Sequence, residues 1–140
     1  MRMKVILAAL IVAASVLGLT ACGGGSDGDA SNLKQIQQQR VGEYVVSVLS
    51  ETGQLKQGEN KFFVEFRKAS DNQLADVGNV QLNSLMPMGG MSPMSGGASA
   101  TATSTPGRYA IESNFQMAGT WNFTVKFGNG QQAKFTLRAQ

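Results

Sequence analysis

Alternation of apolar and polar residues in two segments limits the folds open to this chain more than any other feature. Over 62–66 and again over 121–127, every second residue is Phe, Val or Trp. Side chains on a strand point to opposite faces in turn, so a period of two indicates strands that bury one face. Four further segments are rich in β-branched and aromatic residues and are also predicted to be strands: 42–50, 77–85, 107–117 and 134–138.

Glycine-containing turns separate these segments at short, regular spacing. The chain holds 17 glycines in 140 residues, and Asn129-Gly130 has the sequence of a tight hairpin turn. About seven short strands joined in this way predict an all-β domain, an antiparallel β-sandwich of the immunoglobulin-like kind without its disulfide. A small β-barrel is the alternative architecture.

The N-terminus has the pattern of a secretory signal peptide. Arg2 and Lys4 precede an uncharged apolar run over 5–18. This run is shorter than the roughly 20 residues that a transmembrane helix needs. The run leads to Leu19-Thr20-Ala21-Cys22, which resembles the bacterial lipobox and contains the single cysteine of the chain. That resemblance implies cleavage after residue 21 and a lipid on the Cys22 sulfur. A signal peptide followed by an unrelated cysteine is the alternative.

The chain therefore divides into three predicted parts. Residues 1–21 are the lipoprotein signal peptide, 22–40 a flexible linker and 41–140 the β-sandwich domain. The linker prediction rests on Gly, Ser and Asp up to residue 31 and on a polar, Gln-rich stretch without an apolar face after it. Gly23 stands where an Asp would favour inner-membrane retention, by resemblance to enterobacterial lipoproteins. We therefore expect a lipid-anchored envelope protein at the outer membrane that faces the periplasm, with the membrane as one partner.

Composition argues against several classes of function. Without Arg2 and Lys4 of the leader, ten basic residues face nine acidic ones, a net charge of +1 with no basic stripe, so no nucleic acid is expected as partner. The chain has no His, which removes the usual general base and the usual zinc or Cu(II) ligand. We predict that the protein is not an enzyme, since the acidic residues of the domain read as solvated strand or loop positions: Glu43, Glu51, Glu59, Glu65 and Glu112.

Methionines are concentrated in one short stretch. Residues 85–94, with the sequence LMPMGGMSPM, hold four of the seven methionines of the chain. Gly, Pro and Ser around them are typical of turns and loops rather than of a core. Clustered thioethers are soft ligands of the kind that bind Cu(I), and they carry no proton to lose. Ordinary packing or an adaptable contact surface is the alternative interpretation.

Parity suggests where these methionines point. Val80 and Leu82 share an inward parity that continues to Met86 and Met88, and the inward parity of 109–115 continues in the same way to Met117. If both strand ends lie at one rim of the sandwich, their methionines converge there, and the Gly89-Gly90 pair lets the following residues fold back. The predicted metal ligands are Met86, Met88, Met91 and Met117, with Met94 as a spare ligand or the first contact of an arriving ion.

Several short motifs together resemble a known family. They are Gly58 and Asn60 before an apolar strand, Met86-Pro87-Met88 with Met91, Pro106-Gly107-Arg108-Tyr109, and the segment from Phe115 to Trp121 that reads FQMAGTW. The stretch from about 42 to 137 is similar to the YtkA-like or FixH-like family. The resemblance implies an immunoglobulin-like extracytoplasmic domain. Relatives are associated with copper handling, heavy-metal efflux and the assembly of copper-containing oxidases.

Two departures from that family stand out. FixH-type relatives carry a transmembrane anchor where this chain has the lipobox, and the Met-rich stretch is extended here by a Ser/Ala/Thr tract over 95–105. The sequence therefore predicts a lipoprotein that binds Cu(I) or Ag(I) as its cofactor, with copper-efflux or oxidase-assembly proteins as partners. The alternative is a non-catalytic interaction module of an envelope or efflux complex that binds no metal.

Overall fold

The computed structural model describes residues 32–140; the leader, Cys22 and the first part of the predicted linker lie outside the described residues. Within that range the chain is all-β. Its strands are β1 (Lys34–Val41), β2 (Tyr44–Ser50), β3 (Gly58–Lys68), β4 (Val80–Met88), β5 (Met91–Ser95), β6 (Ala98–Ala102), β7 (Arg108–Phe115), β8 (Gly119–Phe127) and β9 (Gln131–Ala139). Residues 32–140 contain no helix with the length and apolar character that a membrane crossing requires.

The strands form two sheets that face each other. One sheet has the order β1-β2-β3-β7-β6 and the other the order β5-β4-β8-β9, and each pair of neighbouring strands is antiparallel. This arrangement confirms the predicted antiparallel sandwich. The alternating rows of the sequence form its core, because one parity of each central strand points between the sheets.

Aromatic side chains dominate that core. Phe62 and Phe66 of the larger sheet meet Phe123 and Phe127 of the smaller one, with ring centroids 5.5 and 4.8 Å apart. All four side chains are buried. Burying one Phe side chain is worth about 1.5–3 kcal/mol, so these contacts between the sheets supply much of the stabilisation of the fold.

Strand β1 was not expected. The prediction that residues 22–40 are a linker is wrong for residues 34–40, because Lys34–Val41 pairs along its length with β2. Only Ile36 and Val41 of this strand are half-buried, and the Gln39 side chain accepts a hydrogen bond from the Lys134 backbone N–H at 2.7 Å. An edge strand held by backbone hydrogen bonds needs no continuous apolar row, which is why the polar sequence concealed it.

Residues 89–105 supply two further strands instead of one extended loop. Met91–Ser95 forms β5 and Ala98–Ala102 forms β6. Together with β1, they add three strands to the six predicted segments, so residues 32–140 contain nine strands. Small residues suit β6, since Ala98 and Ala100 are half-buried against the core at the edge of the sandwich.

Gly96 lets the chain pass from β5 in one sheet to β6 in the other. A Cβ on Gly96 would stand only 2.9 Å from Ser84 Oγ and 3.0 Å from the Trp121 ring. The backbone of Gly96 is therefore packed directly on the inward face of the smaller sheet. That close approach needs a residue without a side chain.

Two buried serines near this crossing differ in their hydrogen bonding. Ser113 Oγ donates to the Gly97 carbonyl at 2.9 Å, whereas Ser84 Oγ has no hydrogen-bond partner among residues 32–140. Both side chains are buried. We expect Ser113→Ala to cost about 1 kcal/mol and Ser84→Ala to be neutral or stabilising, because only the first loses a hydrogen bond. Urea unfolding of both variants tests this, and an equal loss of stability would contradict it.

A buried ion cluster lies on the outer face of the larger sheet. Glu65 on β3 is paired in register with Arg108 on β7, whose Nη2 and Nε lie 2.6 and 2.8 Å from Glu65 Oε1. Arg67 donates from Nη2 to Glu65 Oε2 at 3.1 Å. Glu65 and Arg108 are only 4% and 6% exposed, so the interpretation of Glu65 as a solvated strand position is wrong. Two arginines compensate the charge of this buried carboxylate. The pairing depends on the register between β3 and β7, so it could not be predicted from the sequence around Glu65.

Candidate functional site

The methionines of the 85–94 stretch lie on one β-hairpin. Strands β4 and β5 pair so that Met86 is opposite Met94 and Met88 is opposite Met91. The turn between them is Gly89-Gly90, and Gly90 has a φ of 73°, a conformation that favours glycine. The hairpin thus brings four of the five predicted ligands together in two facing pairs.

The two pairs differ in burial. Met86 and Met94 are half-buried and pack against the core. Nearer the turn, Met88 is half-buried and Met91 is 66% exposed. The inward parity predicted for Met86 is confirmed, since Ser84 on the same parity is buried and Met86 contacts the core.

Met117 lies in the turn between β7 and β8. Strand β7 ends at Phe115, so Met117 does not continue the inward row as expected but is 43% exposed. Its backbone carbonyl accepts a hydrogen bond of 3.0 Å from Nε1 of Trp121. Trp121 is fully buried against Phe115, with ring centroids 5.2 Å apart, and therefore fixes the path of this turn.

The hairpin and the Met117 turn share one end of the sandwich. Strand β4 runs antiparallel to β8 with Leu85 opposite Asn122, so the end of β4 lies beside the start of β8. The Cε of Met86 occupies the space into which a Cβ on Gly119 would project. The shared rim assumed for the strand ends is therefore present. We call the five methionines at this end, Met86, Met88, Met91, Met94 and Met117, the methionine rim.

The donor chemistry of the rim is uniform. All five side chains are neutral thioethers, which suit a soft ion and do not titrate. In the part of the chain from 32 to 140, no group of three or more His, Cys, Asp or Glu side chains is placed to hold a metal ion. The rim therefore differs from the oxygen-rich clusters that bind Mg²⁺ or Ca²⁺.

A tyrosine with a shifted pKa, Tyr109, lies at the end of the sandwich opposite the methionine rim. Tyr109 Oη donates to the Gly78 carbonyl at 2.8 Å and lies 3.2 Å from Asp76 Oδ1. Burial raises the pKa of Tyr109 above its ordinary value, and the neighbouring Asp76 carboxylate raises the pKa further. This polar cluster is separated from the methionine rim by the length of the core strands.

The contacts that support the rim were not predicted from the sequence. Trp121 was predicted to be a core residue at the head of an alternating row, and this is confirmed. The hydrogen bond from Trp121 to the Met117 carbonyl was not predicted, because it depends on the geometry of the turn. The packing of Met86 on Gly119 was equally hidden. The FQMAGTW segment was a signal for both, because it joins Met117, Gly119 and Trp121.

Gly119 offers a test of this packing. It has a φ of 140°, and a Cβ there would collide with Met86, so we expect Gly119→Ala to cost about 1–3 kcal/mol and to displace the Met86 thioether. Gly130→Ala is the matched control, because Gly130 also has a positive φ but open space around it. Thermal unfolding and Ag(I) titration of both variants measure the two effects. Ag(I) binding that falls equally in both variants would argue against a role for the Met86 position.

The architecture defines an immunoglobulin-like β-sandwich domain with methionines gathered at one end. A family model described as YtkA-like matches residues 37–126, well over half of the chain, and the chain belongs to the YtkA-like family. This confirms the YtkA-like resemblance of the sequence.

Comparison with solved structures supports the same fold. The crystal structure of the Lin-41 filamin domain is similar, with a TM-score of 0.51 and 14% sequence identity over 68% of this chain and 91% of that one. At this identity the likeness concerns the fold alone. No curated protein matches the chain.

Proposed function

We propose that this protein binds one soft monovalent ion, Cu(I) or Ag(I), through thioethers of the methionine rim, and serves copper handling, efflux or oxidase assembly in the cell envelope. The observation that carries the proposal is the hairpin register, which sets Met86 opposite Met94 and Met88 opposite Met91 beside the Met117 turn. Membership of the YtkA-like family is consistent with a domain of the envelope.

The chemistry of the ion matches this set of donors. Soft thioether ligands select Cu(I), which is satisfied by a few of them. Because no ligand has to lose a proton, binding should vary little with pH around neutrality. Met86 is already held against the core, so ordering its side chain around an ion costs less side-chain entropy than ordering that of a free surface methionine.

Native mass spectrometry of the purified protein tests the proposal directly. We expect one Ag(I), or one Cu(I) under reducing conditions, to stay bound, and Zn(II) and Cu(II) to be lost. Zn(II) and Cu(II) favour nitrogen, oxygen or thiolate donors, which the rim lacks. Retention of Zn(II) in preference to Ag(I) would contradict a thioether site.

A second candidate function is an interaction module that binds no metal. Met91 and Met117 are the large apolar side chains that stand most exposed among the described residues, and methionine adapts well to irregular partner surfaces. A protein that binds no Ag(I), but binds an envelope partner more weakly when Met91 is replaced by Ser, would favour this function. Both candidates are non-catalytic.

Membrane attachment through a lipid on Cys22 is part of the proposal. The supporting observation is the lipobox-like Leu19-Thr20-Ala21-Cys22 at the end of the leader. We expect Cys22→Ser to abolish incorporation of labelled palmitate and to move the protein out of the membrane fraction. Ser26→Ala, four residues further on, is the matched control and should remain in the membrane fraction. Unchanged fractionation of Cys22→Ser would count against a lipid anchor.

A further inference from the structure

The methionine rim contains two classes of thioether. Met91 and Met117 are 66% and 43% exposed, whereas Met86 and Met94 are half-buried and pack on the core. Oxidation of methionine by small oxidants depends on access to the sulfur. The exposed pair is therefore more accessible to an oxidant in solution than the half-buried pair.

The oxidation step changes the ligand. When a lone pair on the thioether sulfur attacks one oxygen of hydrogen peroxide, a sulfur–oxygen bond forms, the O–O bond breaks, and proton transfer gives the sulfoxide and water. The sulfur is oxidised by two electrons and the peroxide is reduced. The resulting sulfoxide is polar and presents a hard oxygen in place of the soft sulfur donor. An oxidised methionine is thus a poor ligand for Cu(I) or Ag(I).

We propose that Met91 and Met117 are oxidation sites that lower soft-metal binding at the rim while the domain stays folded. This inference rests on the proposed function, because it names a regulation of the same site. Oxidation removes the two most accessible of the five thioethers and leaves Met86, Met88 and Met94 in place. Methionine sulfoxide reductases reverse the change, so the loss of binding is recoverable.

The contacts around these two residues explain why the fold tolerates their oxidation. Met117 holds its turn through its backbone carbonyl, which accepts the Trp121 Nε1–H, and its exposed side chain carries no part of that bond. Met91 begins the edge strand β5, which is held by pairing with β4. A sulfoxide on Met86 would instead bring a polar group against the core beside Gly119 and weaken the packing.

Peptide mapping of the full-length, metal-free protein tests the modification itself. Cleavage after Lys68, Arg108 and Lys126 yields peptides 69–108 and 109–126, in which tandem mass spectrometry locates each added oxygen. During a short exposure to hydrogen peroxide, we expect Met91 to be oxidised first, Met117 next, and Met86 and Met94 several-fold more slowly. The thermal transition should stay nearly unchanged once Met91 and Met117 are oxidised. Equal rates at Met86 and Met91, or unfolding at this stage, would overturn the proposal.

Ag(I) titration tests the coupling and separates it from the proposed function. After peroxide is removed, we expect the oxidised protein to bind Ag(I) roughly tenfold or more weakly than the untreated protein, and reductase treatment to restore binding. The Met91→Leu, Met117→Leu double variant should bind as weakly as the oxidised protein, and the same brief exposure should not weaken its binding further. Equal Ag(I) affinity before and after oxidation overturns this inference alone. Failure of the untreated protein to bind Ag(I) overturns the proposed function and this inference together.

Discussion

Replacing Met86, Met88 and Met117 together by Leu is expected to abolish Cu(I) and Ag(I) binding while the thermal transition changes little. Leu keeps the apolar volume that Met86 presents to the core and removes only the sulfur. Swaps of this kind usually cost less than about 1.5 kcal/mol even in a core, and Met117 is exposed. Ag(I) titration with thermal unfolding of the same samples measures both outcomes.

Met94→Leu is the matched control for this triple variant. Met94 lies opposite Met86 in the hairpin and is half-buried in the same way, but it is the spare ligand of the proposed set. We expect it to retain Ag(I) binding. A triple variant that binds as well as the wild type would show that the thioether site is wrong. If the triple variant unfolds instead, these methionines serve to pack the core, and an interaction module without metal becomes the favoured function.

Replacing Arg108 by Met is expected to have the largest effect on stability, a loss of roughly 3 kcal/mol or more in the free energy of unfolding. Glu65 is buried, and Arg108 donates to Glu65 Oε1 through both Nε and Nη2. Without Arg108, this oxygen keeps its burial and loses its partner, while Arg67 reaches only Oε2. Urea unfolding of the variant measures the loss.

Arg67→Met provides the comparison, because Arg67 pairs with the same carboxylate but its side chain is 32% exposed. Exposed ion pairs contribute about 0–1 kcal/mol, so we expect a much smaller loss. Replacing Glu65 and Arg108 together by Met should recover much of the loss, since no buried charge is then left unpaired. Equal losses for Arg67→Met and Arg108→Met would contradict the assignment of Arg108 as the main partner.

The central strands could be predicted from the sequence because burial on one face imposes a period of two. Rows such as 62–66 and 121–127 show that period, and in the structure they form the facing sides of the core. The same rule placed Met86 inward. The rule requires only that one face of the strand is buried and the other is exposed to solvent. That difference appears in the sequence of each strand by itself.

The edge strands could not be predicted in this way. The polar β1 and the small-residue β6 are strands because β2 and β7 present free backbone groups to them. Backbone pairing stabilises almost any sequence that avoids a clash, so side-chain pattern carries little information at a sheet edge. Whether an edge segment becomes a strand therefore depends on its partner strand, which lies beside it only in the folded chain.

For the methionine rim, the residue types and the inward parity of Met86 were already present in the sequence, since thioether chemistry and strand period are local properties. The orientation of Met117 was not, because its strand ends at Phe115. The convergence of the β4–β5 hairpin with the Met117 turn was decided by the tertiary structure, through the β4–β8 register and the Trp121 hydrogen bond. The unequal exposure of the five thioethers arose there too. Exposure depends on which segments pack over a side chain, and those segments are distant along the chain.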